Sequence, residues 1–193
     1  MNHFAVIDTE TTWNDYVMSI GVAIADSNTF ELLDKRYYIL TPFKDLGGMY
    51  TYALYTNGIK PDLECSREKA ISELCHVLKN YNVNTIFAYN AAFDYHHLPE
   101  LSHFAWYDIM KVAAYRQHNP KIPQLADCYK TGRLKCGYGV ENIYRLLSEN
   151  WRYCEMHNAL TDALDELEIM KLLNHNIDKY TNAKIGQKSS LVK

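Results

Sequence analysis

The chain has 193 residues, of which 48% are hydrophobic and 22% charged, the composition of a folded domain long enough to bury ~70% of its unfolded surface. A formal charge of −3 argues against indiscriminate attraction to polyanions, and no apolar run approaches the ~20 residues that span a bilayer, so no membrane partner is expected. Cys65, Cys75, Cys128, Cys136 and Cys154 include no C-x-x-C pair, which weighs against a disulfide framework or a four-thiolate zinc site and suits a reducing, cytoplasmic setting. The opening MNHFAVIDTE lacks the basic lead and apolar stretch of a secretion signal.

In chain order, HFAVID reads as a buried strand, VMSIGVAIA (17–25) as a second and RYYIL (36–40) as a third, ended by Thr41-Pro42. The turn-like DSNTF between the second and third predicts an antiparallel meander. SREKAISELCHVLKNY (66–81) predicts a helix capped by Ser66, with Ala70, Leu74, Val77 and Leu78 at helical spacing. NTIFAYN (84–90) is a further short strand, AFDYHHLPEL a helical turn, and YDIMKVAAYRQ (107–117) a helix opened by Asp108. VENIYRLLSEN and ALTDALDELEIMKLLNH are the last helices, the final one carrying an apolar stripe of Leu160, Ala163, Leu164, Leu167 and Leu172. The pattern is lost beyond Asn176, which predicts one domain over 1–176 and a flexible tail over 177–193. Three strands followed by alternating helices and strands predict an α/β fold with a mixed sheet and helices on its faces.

The acids stand where such a fold gathers ligands. Asp8 and Glu10 are two apart on an extended chain, so they share a face at the carboxyl end of an apolar strand. Asp94 follows another strand, and Asp162 lies early in the last helix. His157 precedes Asp162 by five residues, ~140° out of phase on a helix. It can share a site with Asp162 only from before the helix, an arrangement for which Asn158 supplies a good N-cap. Singly, each feature has a bland reading as a turn acid or a surface histidine. Four carboxylates converging from three elements need cations between them, and oxygen ligands without cysteine suit Mg²⁺ or Mn²⁺.

DTETT, NAAFD and HNALTD together resemble the three motifs of the DEDD exonuclease superfamily, in its DnaQ-like (DEDDh) branch, where a histidine stands five before the last acid. The sister branch has a tyrosine four before it, where this chain has Asn158. The resemblance runs from about Phe4 to Leu173 and includes SIGVAI and NGI (57–59). It implies a ribonuclease H-like three-layer α/β/α fold with a mixed central sheet whose first three strands are antiparallel. It also implies 3′→5′ exonucleolytic release of 5′-mononucleotides with two Mg²⁺ or Mn²⁺ ions held by Asp8, Glu10, Asp94 and Asp162, and His157 as general base. The implied substrates are single-stranded DNA or RNA 3′ ends, with action as a homodimer or within a polymerase or repair complex among the options.

Substrate contacts are expected from Thr11, Thr12, Trp13, Phe93, Lys111, Arg116 and Arg133. Trp13 stands where the family often has glycine, so it either caps a terminal base at the crevice rim or folds back onto the sheet. From Lys111 to Lys135 six bases face one acid, Asp127, with Tyr115, Tyr129 and His118 among them, which reads either as a solvated loop or as a track for a single strand. Tyr50, Tyr52 and Tyr55 beside Gly47-Gly48 either stack on bases or pack on the sheet edge. The rival functions are a binding module that has lost catalysis, an oligoribonuclease-type trimming enzyme and a metal-dependent phosphatase. The last leaves the His157–Asp162 spacing unexplained.

Overall fold

Alternation along the first strand decides which face of the sheet receives the acids. In the computed structural model, which describes residues 3–185, β1 (His3–Thr11) sends Phe4 and Val6 to one face and Ala5 and Ile7 to the other. Asp8 and Glu10 therefore share the face of Phe4 and Val6. β2 (Val17–Asp26) and β3 (Leu32–Leu40) continue the meander, antiparallel throughout. β4 (Leu63–Cys65) pairs parallel with β3; β5 (Thr85–Ala88) pairs parallel with β1 and with β6 (Ala105–Asp108). The sheet order is β4-β3-β2-β1-β5-β6.

Helices cover both faces. α1 (Arg67–Asn80) starts at Ser66, whose hydroxyl accepts from the Lys69 amide at 3.4 Å, and packs Ala70, Leu74, Val77 and Leu78 against Ala5, Ile7 and Val22. α2 (Ala92–His97) follows β5 and α3 (Met110–Ala113) follows β6. α4 (Val140–Ser148) and α5 (Ala159–Leu173) cover the other face, where Ile143, Ala163, Leu167 and Met170 pack with Phe4, Val6 and Ala23. The result is the three-layer α/β/α architecture with a mixed sheet that the motifs implied.

The structure departs from the sequence reading in four places. β3 begins at Leu32, not Arg36: Leu32, Leu33 and Lys35 are exposed, so the strand's first half has no buried alternation to read. β4 is three residues long and carries no period. The helix expected from Tyr107 is a strand until Asp108, then a single turn. The Asp108 carboxylate accepts from the Asn90 and Met110 amides, both at 3.0 Å, and so marks the join between strand and helix. Ile177–Ala183, expected to open a loose tail, is a 3-10 helix that buries Tyr180 edge-on against Phe87, and the Ile185 amide donates to the Trp106 carbonyl. Its two buried residues, Tyr180 and Ala183, are too sparse to show a period. The rest of the expected tail, 186–193, lies outside the described residues.

One contact sets the depth of the site. Gly21 is the ladder partner of Asp8, and the first turn of α5 rests on it. A Cβ there would lie 1.9 Å from the Ala159 carbonyl oxygen, so any side chain must lift the helix. Gly21→Ala is expected to lower stability by about 1–3 kcal/mol, the usual range for overpacking, read from the urea midpoint. An unchanged midpoint would show that α5 can be lifted from the sheet without loss.

Candidate active site

The carboxyl ends of β1 and β5, the start of α2 and the loop into α5 enclose a crevice lined by Asp8, Glu10, Asp94, His157 and Asp162. Each arrives for a local reason. Asp8 and Glu10 follow the strand parity. Asp94 lies in the first turn of α2 and is aimed by Thr9, whose amide and hydroxyl both donate to its Oδ1, at 3.0 and 2.8 Å. Asp162 occupies the first turn of α5, where Asn158 is the N-cap and its Oδ1 accepts from the Leu160 and Thr161 amides at 3.2 and 3.3 Å. His157 precedes the cap with φ +54°, a left-handed backbone that turns its side chain into the crevice instead of along the helix. One ligand atom each from Glu10, His157 and Asp162 lies within 4.8 Å of the others.

Two further acids join them. Glu166, one turn along α5 from Asp162, is buried and accepts from the Tyr89 amide at 3.0 Å. Glu155 lines the crevice, its backbone amide held by Glu141 at 3.0 Å. Glu166 had a legible signal, an acid at i+4 from Asp162 inside an apolar helix face; Glu155, in a segment without period, had none.

Among the described residues no lysine or arginine lines the crevice, and the acids titrate accordingly. Burial pushes Glu10 up to about 9, reinforced by Asp162 and Glu155. Asp162 rises to about 8 through burial and the charges of Glu155 and Asp165. Asp94 rises less, to about 7, because the Thr9 hydrogen bonds oppose burial. Asp8 and Glu166 are held well above the carboxylate range, first by burial and then by Asp94. Burial holds His157 below the ordinary histidine value.

This donor set fits a hard divalent cation. It consists of carboxylate oxygens with one imidazole and no thiolate, and the Asp8 Oδ2 is buried without a hydrogen-bond partner in the structure. Asp8, Glu10, Asp94 and Asp162 are the carboxylates that could hold such a cation.

Of the expected substrate contacts, Thr11, Thr12, Trp13 and Phe93 line the crevice. Trp13 is 68% exposed, beside Gly47, so it is not folded back onto the sheet. Lys111, Arg116 and Arg133 are not brought to the crevice. Lys111 is in α3 beside Asp108. Arg116 donates to the Ala126 carbonyl and the Cys128 sulfur, and Arg133 lies between the Tyr129 and Tyr138 rings at 4.9 and 5.0 Å. Lys121 and Lys135 pair with Glu149 and Asp127. Arg116, Arg133, Lys121 and Lys135 are thus engaged away from the crevice. Among the three tyrosines of the loop after β3, Tyr52 is exposed, Tyr55 donates to Glu64 at 2.7 Å, and Tyr50 lies in the crevice.

No family model matches the sequence, and no curated protein matches it. Solved structures with the same fold are found at low identity. A full-length 3′-exonuclease superposes with TM-score 0.64 at 14% identity, covering 99% of this chain and 92% of the other. Exonuclease X in complex with 5′-overhanging duplex DNA gives 0.59 at 18%, covering 93% and 98%. The nuclease domain of 3′hExo, a DEDDh family member bound to rAMP, gives 0.61 at 14%, covering 91% and 94%. The fold is the ribonuclease H-like fold of these exonucleases.

The acids make a linkage prediction. Their folded-state values of about 7 to 9 lie above the ~4 of an unfolded carboxylate. The folded chain therefore binds more protons in between, and its stability falls as pH rises through that window. In chelator the melting temperature should drop between pH 5 and pH 8.5. Saturating Mg²⁺, which binds the ionised forms, should restore roughly 5–10 °C at the upper end and almost nothing at pH 5. A pH slope that Mg²⁺ leaves unaltered would sink the cation site.

Proposed function

We propose that this chain is a DEDDh-type 3′→5′ exonuclease that removes 5′-mononucleotides from single-stranded DNA or RNA in the presence of Mg²⁺ or Mn²⁺. The observation that carries the reading is the convergence of Asp8, Glu10, Asp94, His157 and Asp162, from three separate segments, on one crevice that no lysine or arginine among the described residues lines. When bound there, the divalent cations offset the phosphate charge and acidify the attacking water.

The chain's own residues supply the rest. His157, neutral above its lowered titration range, takes the proton of the attacking water. Thr9 fixes the orientation of Asp94, and Asn158 fixes the turn from which His157 projects. Trp13 and Phe93, 68% and 40% exposed, offer ring faces at the crevice mouth to the last base of an unpaired end. The free cysteines among the described residues suit a cytoplasmic setting.

The test is a single-stranded oligonucleotide labelled at one end. A 5′ label should give a ladder that shortens stepwise, a 3′ label should appear at once as mononucleotide, and chelator should stop both. Asp8→Ala and Asp94→Ala should abolish turnover while leaving the chelator-treated fold as stable as the parent or more so. His157→Ala should cost ~10²–10⁴-fold in rate. In the parent at saturating Mg²⁺, activity should climb with pH as the imidazole and the acids of the crevice lose their protons; in His157→Ala the imidazole's share of that limb should be lost. A ladder from the 5′ end, or full activity in chelator, refutes the proposal.

Trp13 separates strand preferences. Trp13→Ala should weaken binding of single-stranded 3′ ends by ~1–3 kcal/mol and leave the melting temperature unchanged, since the indole is largely in solvent. Equal, small losses on single strands and blunt duplexes, with a lowered melting temperature, would make it a packing residue.

A further inference from the structure

The base in this reading rests on another ring. Tyr50 lies face to face with His157, with ring centroids 3.9 Å apart and planes 15° from parallel. Neither ring is held by its own element alone. Tyr50 leads into a 3-10 turn (Thr51–Ala53), and its carbonyl accepts from the Ala53 amide at 2.9 Å. The loop before it passes so close to the end of β1 that a Cβ on Gly48 would stand 2.4 Å from the Thr11 carbonyl oxygen. Asn158, next to His157 and buried, joins the two sides. Its Oδ1 caps α5, while its Nδ2 donates to the Ala53 carbonyl at 2.9 Å and to the Tyr37 hydroxyl at 3.0 Å. One amide side chain thereby fixes the backbone on either side of the stack. His157 itself precedes the helix with a left-handed backbone, and among the described residues its ring makes no hydrogen bond.

We infer that Tyr50 is a positioning residue for His157: its ring covers one face of the imidazole and fixes the plane in which the ring nitrogens meet the attacking water. The inference deepens the exonuclease reading and rests on it. Stacking needs only the ring, so the phenol hydroxyl is dispensable. It acts through His157, so its contribution disappears when His157 is removed.

A double-mutant cycle tests this. Tyr50→Phe should keep kcat within about twofold of the parent. Tyr50→Ala should lower kcat by ~10-fold with little change in KM, a part of the ~10²–10⁴-fold assigned to a general base. In the His157→Ala background the same substitution should change kcat by less than about twofold, because residues that act as a unit are non-additive. An equal loss in both backgrounds overturns the inference, as does a loss confined to KM; either places Tyr50 on the substrate. Side-chain NMR of His157 supplies a readout independent of turnover. In Tyr50→Ala its ring protons should move downfield as the stacked ring is lost. Unmoved His157 signals overturn the stack. A parent chain that shows the stacking signature and yet degrades no oligonucleotide overturns the exonuclease reading and leaves the contact standing.

Discussion

The seating of the first turn of α5 on the β1–β2 ladder is the constraint from which the site follows. Gly21 faces Asp8 across that ladder and leaves room for the Ala159 and Leu160 backbone where a side chain would otherwise stand. Because the helix starts so close to the sheet, Asp162 in its first turn comes opposite Glu10, and the residue before the cap opens into the same space. Ala163, Leu167 and Met170 then secure the rest of the helix against the Phe4 and Val6 face. Hydrophobic burial along the body of α5 thus supplies the force that brings mutually repelling acids together at its tip.

The acids are accommodated by unequal means. Asp94 has two donors from Thr9, and Glu166 has the Tyr89 amide, so each keeps part of its solvation in the form of fixed hydrogen bonds. Asp8 has a buried oxygen with no such partner, and Glu10 has mainly neighbours of its own sign. Arg116, Lys121, Arg133 and Lys135 do not relieve this repulsion, since each is engaged with a carbonyl, acid or ring elsewhere.

Much of this was legible because two periods are visible in the chain. A period of two put Asp8 and Glu10 on one face, and the mismatch of five residues with the helical turn required His157 to lie before α5, with Asn158 as its cap. What escaped has no period. β4 and the 3-10 segment at 177–183 are too short to show one, and β6 was hidden because Ile109, Val112 and Ala113 continue an apolar spacing across the join with α3. Arg116 and Arg133 lie away from the crevice for a different reason. Local charge density reveals a basic segment but not which way a loop folds, and here guanidinium–ring and guanidinium–carbonyl contacts turn the segment on itself. Tyr50 was read as a ring for bases or for the sheet edge. Its partner is a histidine more than a hundred positions away, a pairing that only the tertiary fold creates.

The left-handed backbone at His157 has a consequence for how such a chain can change. An L-residue in that region lies about 1–2 kcal/mol above its relaxed conformation, and glycine would not. Stability alone would thus favour glycine or asparagine over an imidazole at this position. The Asn158 cap fixes the helix start that immediately follows this strained residue. Stabilising substitutions are therefore expected here, toward glycine or asparagine, and not at the buried seam of Gly21, where any side chain meets the Ala159 backbone.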